Sequence, residues 1–406
     1  MVAAPLNRSR FRRKINRSLV VGVSLAVIGA AAGCGGNGSG DSKAAFEIAG
    51  MADLTGTSAA VGATQMNGVR AAIEGANRRG GVDGQKINLT VRDDTNTPAT
   101  AISIARSLLA DKETLGLVGI NSSFVASALA PLLEQYKAPV VAAGVPDNLV
   151  IPVQKYIFMT VAMLGKQGAA QVAFVASTAG EEGIPKNPKV AILHFDSPAA
   201  TVWAQEAKAE LKKVDLDLVA EQAFAIGVSD ISAQANRIAQ AQPDVVISFL
   251  IAPQVSMVSK ALNAANLPDS VPLVQYSYGS AEKTMAAAGK RPYLALTDYD
   301  ASAGGKITKQ MTDDAKAIKV DPTEGAFVDG YAQGLIVLDA LKRCGSDCTR
   351  VKFYDTLNKT DTDLDGFAFG QVVYNEKSHS GIKKVGFQKL DSAKKVVLVG
   401  DPQSID

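Results

Sequence analysis

The feature that most limits the fold of this chain is a repeated alternation of short strand patterns with longer helical patterns, beginning near residue 45. The segment AFEIAGMADL predicts a buried strand, and GATQMNGVRAAIEGANRRGG after it carries apolar residues at helical spacing. Three further strand patterns, KINLTVRDD, LGLVGI and APVVAAG, are separated by helical segments. This alternation predicts parallel strands with helices packed on both faces of the sheet.

A second unit with the same alternation follows YIFMTVA (residues 156–162). Its strand patterns are KVAILHFD, PDVVISFL and VPLVQYSY, with helical segments between them. RPYLALTDYD is expected to cross back to a long helix, EGAFVDGYAQGLIVLDALKRC, and KKVGFQKL and KKVVLVG predict short C-terminal strands. We therefore predict an α/β fold with two doubly wound parallel-sheet lobes.

Several residues carry the chemistry of helix ends. Thr97 precedes Pro98, which predicts an N-cap threonine and a proline at the first helical position. Ser197 and Pro198 make the same pattern, and two consecutive glycines after Arg79 predict a helix C-terminus.

The first 33 residues have the composition of a signal peptide. Six basic residues precede the uncharged apolar run SLVVGVSLAVIGAAA, and this order is typical of secretory signals. The run is short for a membrane span, which needs ~20 apolar residues. AAGC resembles a bacterial lipobox, which predicts a lipid on Cys34; an uncleaved anchor with an incidental cysteine is the alternative. Arg12 and Arg13 also suggest a twin-arginine signal.

Charge outside the signal peptide argues against nucleic-acid binding. After residue 33 the chain has 36 basic and 40 acidic residues, and no basic patch is interleaved with aromatic residues. Residues 34–45 are rich in glycine and serine, which predicts a flexible tether to a membrane surface. The body of the chain is expected to be an extracytoplasmic monomer held at the cell membrane by the lipid on Cys34.

Cys344 and Cys348 remain as an even pair in KRCGSDCTR. Outside the cytoplasm a disulfide between them is permitted, and we expect one. Two free thiols in a surface loop are the alternative.

Catalytic and metal-binding patterns are missing from the sequence. His194 and His379 are its two histidines, and it contains no HExxH, no G-x-S-x-G elbow and no Walker A motif. We expect no enzyme activity, no cofactor and no metal site. An extracellular hydrolase is the remaining enzymatic alternative.

Residues suited to ligand binding lie in the loops that follow the predicted strands. Because ligands sit outside the carboxyl ends of parallel strands, the rule selects six loops: DLTGTS, INSSF, AAGVPDN, HFDSPA, FLIAPQ and QYSYGS. In the second loop, Asn121, Ser122 and Ser123 meet a helix N-terminus, where N–H groups and the helix dipole favour an anion. One serine can serve as N-cap, which leaves the other for a ligand.

The sequence resembles the type I periplasmic solute-binding proteins of ABC importers, in the branched-chain amino acid group. The resemblance rests on DLTGTSAAVGATQMNGVRAAIEGANRRGGVDGQKINLTVRDDTNTPATAISIARSLLADK, GINSSFVASALAPLLEQYKAPVVAAG, GVSDISAQANRIAQAQPDVVI and DALKRCGSDCTR. It implies two lobes joined by three crossovers, which close over a small amino acid-like, carboxylate or amide solute. It also implies a membrane permease as partner. A sensor of the same fold without transport is the alternative.

The resemblance assigns residues 46–160 and 298–370 to lobe 1, and residues 161–297 and 371–402 to lobe 2. It places the carboxylate of the solute at Ser122, Ser123 and the stretch Ala143, Gly144 and Val145.

This chain departs from the family pattern at Val145, where the family usually has threonine or serine, and in DSPAATVW, which begins at Asp196 and lacks the usual tyrosine. Asp196 is a candidate ligand-binding residue, and a cap for the following helix is the alternative. Glu282 is the acidic candidate for meeting an ammonium group. Phe124, Leu250, Tyr276 and Tyr278, with Val145, are expected to give the cleft an apolar or aromatic lining.

Overall fold

A computed structural model describes residues 45–302, 306–324 and 326–405. These described residues belong to one compact unit. The expected signal peptide, the lipid site at Cys34 and nearly all of the tether lie outside the described residues. Within the described ranges, no helix is both long and apolar enough to cross a bilayer.

Sheet 1 is parallel throughout and holds the first five strands of the chain. Its strands are β1 (Phe46–Ala52), β2 (Ile87–Asp93), β3 (Thr114–Ile120), β4 (Val140–Ala142) and β5 (Ile157–Met159). They lie in the order β2-β1-β3-β4-β5. The helices between them are α1 (Ala59–Arg78), α2 (Pro98–Ala110) and α3 (Ser123–Tyr136). Every residue of β3 is buried, as expected for a central strand covered on both faces.

Sheet 2 repeats this arrangement in the second half of the chain. Its parallel strands are β6 (Val190–Phe195), β7 (Leu218–Phe224), β8 (Val245–Phe249), β9 (Leu273–Gln275) and β10 (Tyr293–Thr297). They lie in the order β7-β6-β8-β9-β10. The accompanying helices are α4 (Leu164–Ser177), α5 (Pro198–Lys213), α6 (Ser232–Gln240), α7 (Ala252–Ala264) and α8 (Glu282–Ala286).

The C-terminal part of the chain returns to both sheets. It consists of α9 (Lys306–Ala317), α10 (Phe327–Cys344), α11 (Arg350–Leu357), β11 (Asp361–Thr362), β12 (Val372–Val373), β13 (Lys384–Leu390), β14 (Val396–Leu398) and β15 (Gln403–Ser404). Helices α9 and α10 pack on α1, whereas β13 pairs with β10, β14 and β15 in the antiparallel sense. The predicted α/β class with two doubly wound sheets is confirmed. RPYLALTDYD, however, contains a strand of sheet 2, and the antiparallel strands make that sheet mixed.

Helix ends follow the sequence signals with one exception. Ser122 and Ser197 occupy N-cap positions, and their hydroxyl oxygens accept hydrogen bonds from the N–H groups of Val125 (3.5 Å) and Ala200 (3.0 Å). Thr97 stands at the N-cap of α2 but makes no capping bond. Its hydroxyl donates instead to the Thr95 carbonyl oxygen at 3.3 Å. The position of the cap is therefore right and its expected side-chain bond is wrong.

The last turn of α10 carries a cross-link. Cys344 and Cys348 are joined by a disulfide across the turn that follows the helix. Since loop closure is the usual origin of disulfide stabilisation, a ring this small contributes less than one that closes a long loop.

Glycines allow α1 and α10 to pack in very close contact. A Cβ at Gly330 would lie 1.8 Å from the Gln65 carbonyl oxygen, and a Cβ at Gly68 would lie 2.2 Å from the Phe327 carbonyl oxygen. Contacts this short require one helix to move. The glycines therefore set the distance between α1 and α10. Helix α1 follows the first strand of sheet 1, and α10 packs the C-terminal part of the chain against that sheet's helices.

We expect Gly330→Ala to lower the free energy of unfolding by about 1–3 kcal/mol, because the added methyl group overpacks the α1–α10 contact. Gly370→Ala is the matched control, since a Cβ there would have no neighbour nearer than 3.5 Å. The control should change stability by less than about 0.5 kcal/mol. Urea unfolding of both variants measures the difference, and equal stabilities would contradict the packing account.

Candidate functional site

A cavity lies between the carboxyl ends of the strands of sheet 1 and sheet 2. The volume of the cavity is about 50 Å³, which is below the ~300–1,000 Å³ typical of small-molecule sites. The two walls of the cavity are therefore close together. Its lining residues are Ser58, Val61, Asn96, Asn121, Ser122, Ser123, Phe124, Gly144, Leu164, Phe195, Ser197, Ala199, Ile226, Phe249, Ile251, Tyr276 and Tyr278.

Strand order explains why these residues meet. In sheet 1 the chain changes direction of winding between β1 and β3, and in sheet 2 between β6 and β8. At such a switch point the helices that follow the two strands lie on opposite faces, which leaves a crevice at the carboxyl edge. The loops after all four of these strands contribute lining residues, so the two crevices form one cavity.

Two aspartates, the buried Asp53 and the half-buried Asp93, fix the first loop of the sheet 1 wall. The carboxylate of Asp53 accepts hydrogen bonds from the N–H groups of Gly56 (2.5 Å) and Ser58 (2.7 Å). Asp93 accepts from the Leu54 N–H (2.8 Å) and from the Thr55 hydroxyl (2.5 Å). Burial opposes ionisation of Asp93, but the hydrogen bond from Thr55 and the backbone N–H groups together lower its pKa. These carboxylates therefore hold a backbone that has no regular structure of its own.

The hydroxyl of Ser122 is already used within the protein. It donates to the side-chain oxygen of Asn96 and accepts from the Val125 N–H. The side-chain N–H₂ of Asn96 in turn donates to the Thr57 and Ser58 hydroxyl oxygens at 3.1 and 3.4 Å. Ser122 therefore shapes the wall of the cavity, and it has no remaining donor for a ligand.

Asn121 and Ser123 do present free donors. Asn121 is 8% exposed, and its side-chain oxygen accepts the Asp53 N–H at 3.3 Å. Its buried side-chain N–H₂ has no partner among the described residues. The Ser123 hydroxyl likewise makes no hydrogen bond with the described part of the chain, and Ser123 and Phe124 begin α3, where backbone N–H groups lack intrahelical acceptors. These donors, all at one end of the cavity, suit an anionic group.

Gly144 brings a second loop against these donors. A Cβ at this position would lie 2.3 Å from the Asn121 carbonyl oxygen. The close approach of the two backbones therefore requires glycine and narrows the cavity beside Asn121.

Aromatic rings form the sheet 2 wall. Phe249 stacks on Tyr276 with ring centroids 3.7 Å apart, and it contacts Phe195 at 5.3 Å. Tyr278 continues the row 5.4 Å from Tyr276, and its hydroxyl approaches the side-chain oxygen of Gln65 on α1 at 3.5 Å. Burial, and then Asp329, raise the pKa of both tyrosines well above the ordinary value, so their hydroxyls are neutral.

Some of the residues selected from the sequence line the cavity and others do not, and the difference follows from which way each side chain points along its extended segment. Ser122, Ser123, Phe124, Gly144, Tyr276 and Tyr278 line the cavity. Ala143, Val145 and Leu250 are fully buried and are not among the lining residues, and Asp196 and Glu282 are exposed outside it. Successive side chains of an extended segment point in opposite directions. Phe195 and Ser197 consequently face the cavity on either side of Asp196, as do Phe249 and Ile251 on either side of Leu250.

Several lining residues were not selected from the sequence. Ser58, Phe195, Ser197, Ala199, Phe249 and Ile251 lie in loops that the carboxyl-end rule had chosen, and alternation along each loop could have identified them. Asn96 follows β2, the neighbour of β1, and the same rule extends to that loop. Leu164 and Ile226, at the start of α4 and after β7, carry no local signal.

The lining contains no charged side chain. None of the lining residues in the described ranges is Asp, Glu, Lys, Arg or His. His194 is buried outside the cavity, with Nδ1 3.1 Å from the Phe195 carbonyl oxygen. Among the described residues no group of three His, Cys, Asp or Glu side chains could hold a metal ion. The cavity can therefore donate hydrogen bonds to a ligand at one end and make apolar contacts with it along the rest of its length.

A pair of buried carboxyl groups lies behind the tyrosines. Asp298 accepts a hydrogen bond from the Ala162 N–H at 2.9 Å. Burial raises the pKa of Asp298 to about 7, and the Ser277 hydroxyl lies close enough to the carboxyl group to oppose that rise. Burial and the neighbouring Asp298 raise the pKa of Asp329 well above its ordinary value. Ala162 and Asp298 lie in two of the segments that pass between the sheets, so the pair is placed where those segments meet.

We expect Asp298→Asn to alter how stability depends on pH. The folded chain keeps a proton on Asp298 that the unfolded chain releases above its ordinary pKa of 3.8. For this group, stability is therefore greatest at low pH and falls as pH rises towards about 7. Asparagine keeps the acceptor for the Ala162 N–H and does not titrate.

The free energy of unfolding of the variant relative to the wild type should therefore rise by about 1–3 kcal/mol between pH 5 and pH 8. Denaturant unfolding at the two pH values measures it. A difference that stays constant with pH would show that Asp298 is ionised in the folded chain.

Comparison with known protein families gives one match that covers most of the chain. A family model described as "Periplasmic binding protein" matches residues 45–395. Leu/Ile/Val-binding protein homolog 7 of Brucella suis is 25% identical over 368 residues, which cover 84% of this chain and 89% of that protein. Leu/Ile/Val-binding protein homolog 2 of Brucella abortus is 26% identical over 249 residues, 61% of this chain, and the match spans only 63% of that relative.

Solved structures share the fold at low sequence identity. A branched chain amino acid ABC transporter protein from Thermus thermophilus with bound valine has a TM-score of 0.77 and 19% identity, and covers 89% of this chain and 96% of its own. A fatty acid ABC transporter substrate-binding protein from Thermomonospora curvata has a TM-score of 0.75 and 20% sequence identity, and the match covers 89% of this chain and 92% of that one. A solute-binding protein from R. palustris in complex with benzoate has a TM-score of 0.74 and 18% sequence identity, and the match covers 89% of this chain and 98% of that one.

Proposed function

The chain belongs to the periplasmic binding protein family, and on that premise we propose that it is the solute receptor of an ABC importer. It captures a small amino acid-like, carboxylate or amide solute and delivers it to a membrane permease, without making or breaking a covalent bond. The observation that carries this proposal is the cavity whose two walls come from different sheets. The relatives that are Leu/Ile/Val-binding proteins and the structures that hold valine or benzoate support a small solute.

In the proposed mechanism, the solute is captured when the two walls close over it. In this proposal residues 46–160 and 298–370 form lobe 1, and residues 161–297 and 371–402 form lobe 2. A solute that touches both lobes favours the closed arrangement by the difference between its affinities for the closed and open states. Hinge closure of this kind is an established mode of domain motion. The closed form is the one that the permease would recognise.

The proposal places the receptor outside the cell membrane. The basic and apolar start of the chain and the AAGC sequence support export and a lipid on Cys34. Residues 34–45 would then act as a tether that lets the binding unit reach the permease.

A thermal-shift screen of amino acids, aromatic acids and aliphatic acids tests the function on the chain from residue 35 onward. A ligand at about 100 times its dissociation constant adds roughly 2.7 kcal/mol of stability, which is a clear rise in melting temperature. If no member of a broad panel stabilises the protein, the receptor function is contradicted.

Ser123→Ala should weaken binding of the strongest compound in that screen by about 10–100-fold, because hydrogen bonds to charged groups contribute ~1.5–3 kcal/mol. Ser127→Ala is the matched control. The hydroxyl of Ser127 donates to the Ser123 carbonyl oxygen at 2.7 Å, and Ser127 is not among the lining residues. Calorimetry on both variants should show the loss only for Ser123, and an equal loss in both would place the solute elsewhere.

A further inference from the structure

Resting on the proposed function, we infer that the solute is a small apolar carboxylate that lacks an α-ammonium group, and that the cavity discriminates against zwitterionic amino acids. The carboxylate lies at the start of α3, against Asn121 and Ser123, and the apolar body lies along the aromatic wall of sheet 2.

One end of the cavity is built for a negative charge. The side-chain N–H₂ of Asn121 is buried and without a partner among the described residues. The orientation of this amide is set by the bond that its oxygen accepts from the Asp53 N–H. A buried donor without an acceptor costs free energy that an anionic ligand would recover. The Ser123 hydroxyl and the first N–H groups of α3 complete the set.

The surrounding helices reinforce this preference. Five helices in the described part of the chain begin beside the cavity, namely α1, α2, α3, α5 and α7. At or within two residues of their first positions lie the lining residues Ser58, Asn96, Ser123, Ala199 and Ile251, respectively. Each helix N-terminus carries a partial positive charge of roughly half an elementary charge. Their sum favours an anion in the cavity and disfavours a cation.

The lining of the cavity, among the described residues, offers no carboxylate to pair with an ammonium group. No lining residue in the described ranges is acidic. Asp196 and Glu282, the two acidic residues that the sequence suggested for contact with a solute, are exposed outside the cavity. Asp298 and Asp329 lie behind the tyrosines, are fully or almost fully buried, and are not in the lining. An ammonium group enclosed here would lose its hydration without gaining an ion pair, which is costly.

The opposite wall suits an apolar body. Phe195, Phe249, Tyr276 and Tyr278 form a row of rings, and Ile226 and Ile251 extend the apolar surface beside it. The narrow space between the walls fits a flat or unbranched group better than a bulky polar one.

Matched ligand pairs test the inference directly. Calorimetry on the chain from residue 35 onward compares 3-phenylpropanoate with L-phenylalanine, and 4-methylpentanoate with L-leucine. Within each pair only the ammonium group differs. We expect at least one of the acids to bind, and to bind at least about 10-fold more tightly than its amino acid, because the amino acid would bury its ammonium charge without an ion-pair partner.

The outcomes separate the two proposals. An amino acid that binds as tightly as its matched acid, or more tightly, would overturn this inference and leave the receptor function in place. Failure of all four compounds, together with failure of the broader thermal-shift panel, would overturn both.

Asn121→Asp locates the carboxylate. The substitution preserves shape and the acceptor for the Asp53 N–H, and it replaces the free donor with a negative charge. It should weaken binding of the best acid by at least about 30-fold, with little effect on the corresponding neutral primary amide, which serves as the control for an intact cavity. An equal loss for acid and amide would contradict the placement of the carboxylate against Asn121.

Discussion

Strand order is the constraint on which the rest of this structure depends. In each sheet the first strand of the unit lies between its second and third strands, so helices leave the carboxyl edge on opposite faces. This leaves a crevice at that edge of both sheets, and each crevice is bordered by the beginnings of helices. Because the two crevices share one cavity whose lining, among the described residues, has no charged side chain, backbone N–H groups and helix dipoles supply the positive end of that cavity.

The segments that pass between the sheets hold the two walls in register through buried polar contacts. The carboxylate of Asp147, between β4 and β5 of sheet 1, accepts hydrogen bonds from the N–H groups of Leu164 and Gly165 at the start of α4, at 2.8 and 2.9 Å. Asp298 binds the Ala162 N–H, and the hydroxyl of Tyr299 donates to the Thr160 carbonyl oxygen. Buried polar groups of this kind have one good arrangement each. Under the proposed lobe closure, these contacts and the Asp298–Asp329 pair would lie at the axis about which the walls move.

Much of the fold could be predicted from the sequence because local patterns carry it. Alternating strand and helix patterns gave both parallel sheets, and the carboxyl-end rule selected six loops that all contribute to the cavity. The remainder depends on contacts between distant segments. The hydroxyl of Ser122 is consumed by Asn96, 26 residues earlier, and no local pattern reveals that bond. Leu250 and Asp196 look as suitable as their neighbours until the direction of each side chain along its strand is known. The pairing of β10 with β13 likewise joins segments that lie far apart in the chain.

The central claim is that a solute in this cavity holds two lobes together, and a distance measurement tests it most directly. Spin labels at Ala99 and Thr201, exposed residues in the first turns of α2 and α5, would report the separation of the two walls. With the tighter-binding member of the 3-phenylpropanoate and phenylalanine pair, the account predicts that a broad distribution of distances becomes shorter and narrower. An unchanged distribution at a ligand concentration that calorimetry shows to be saturating would contradict it.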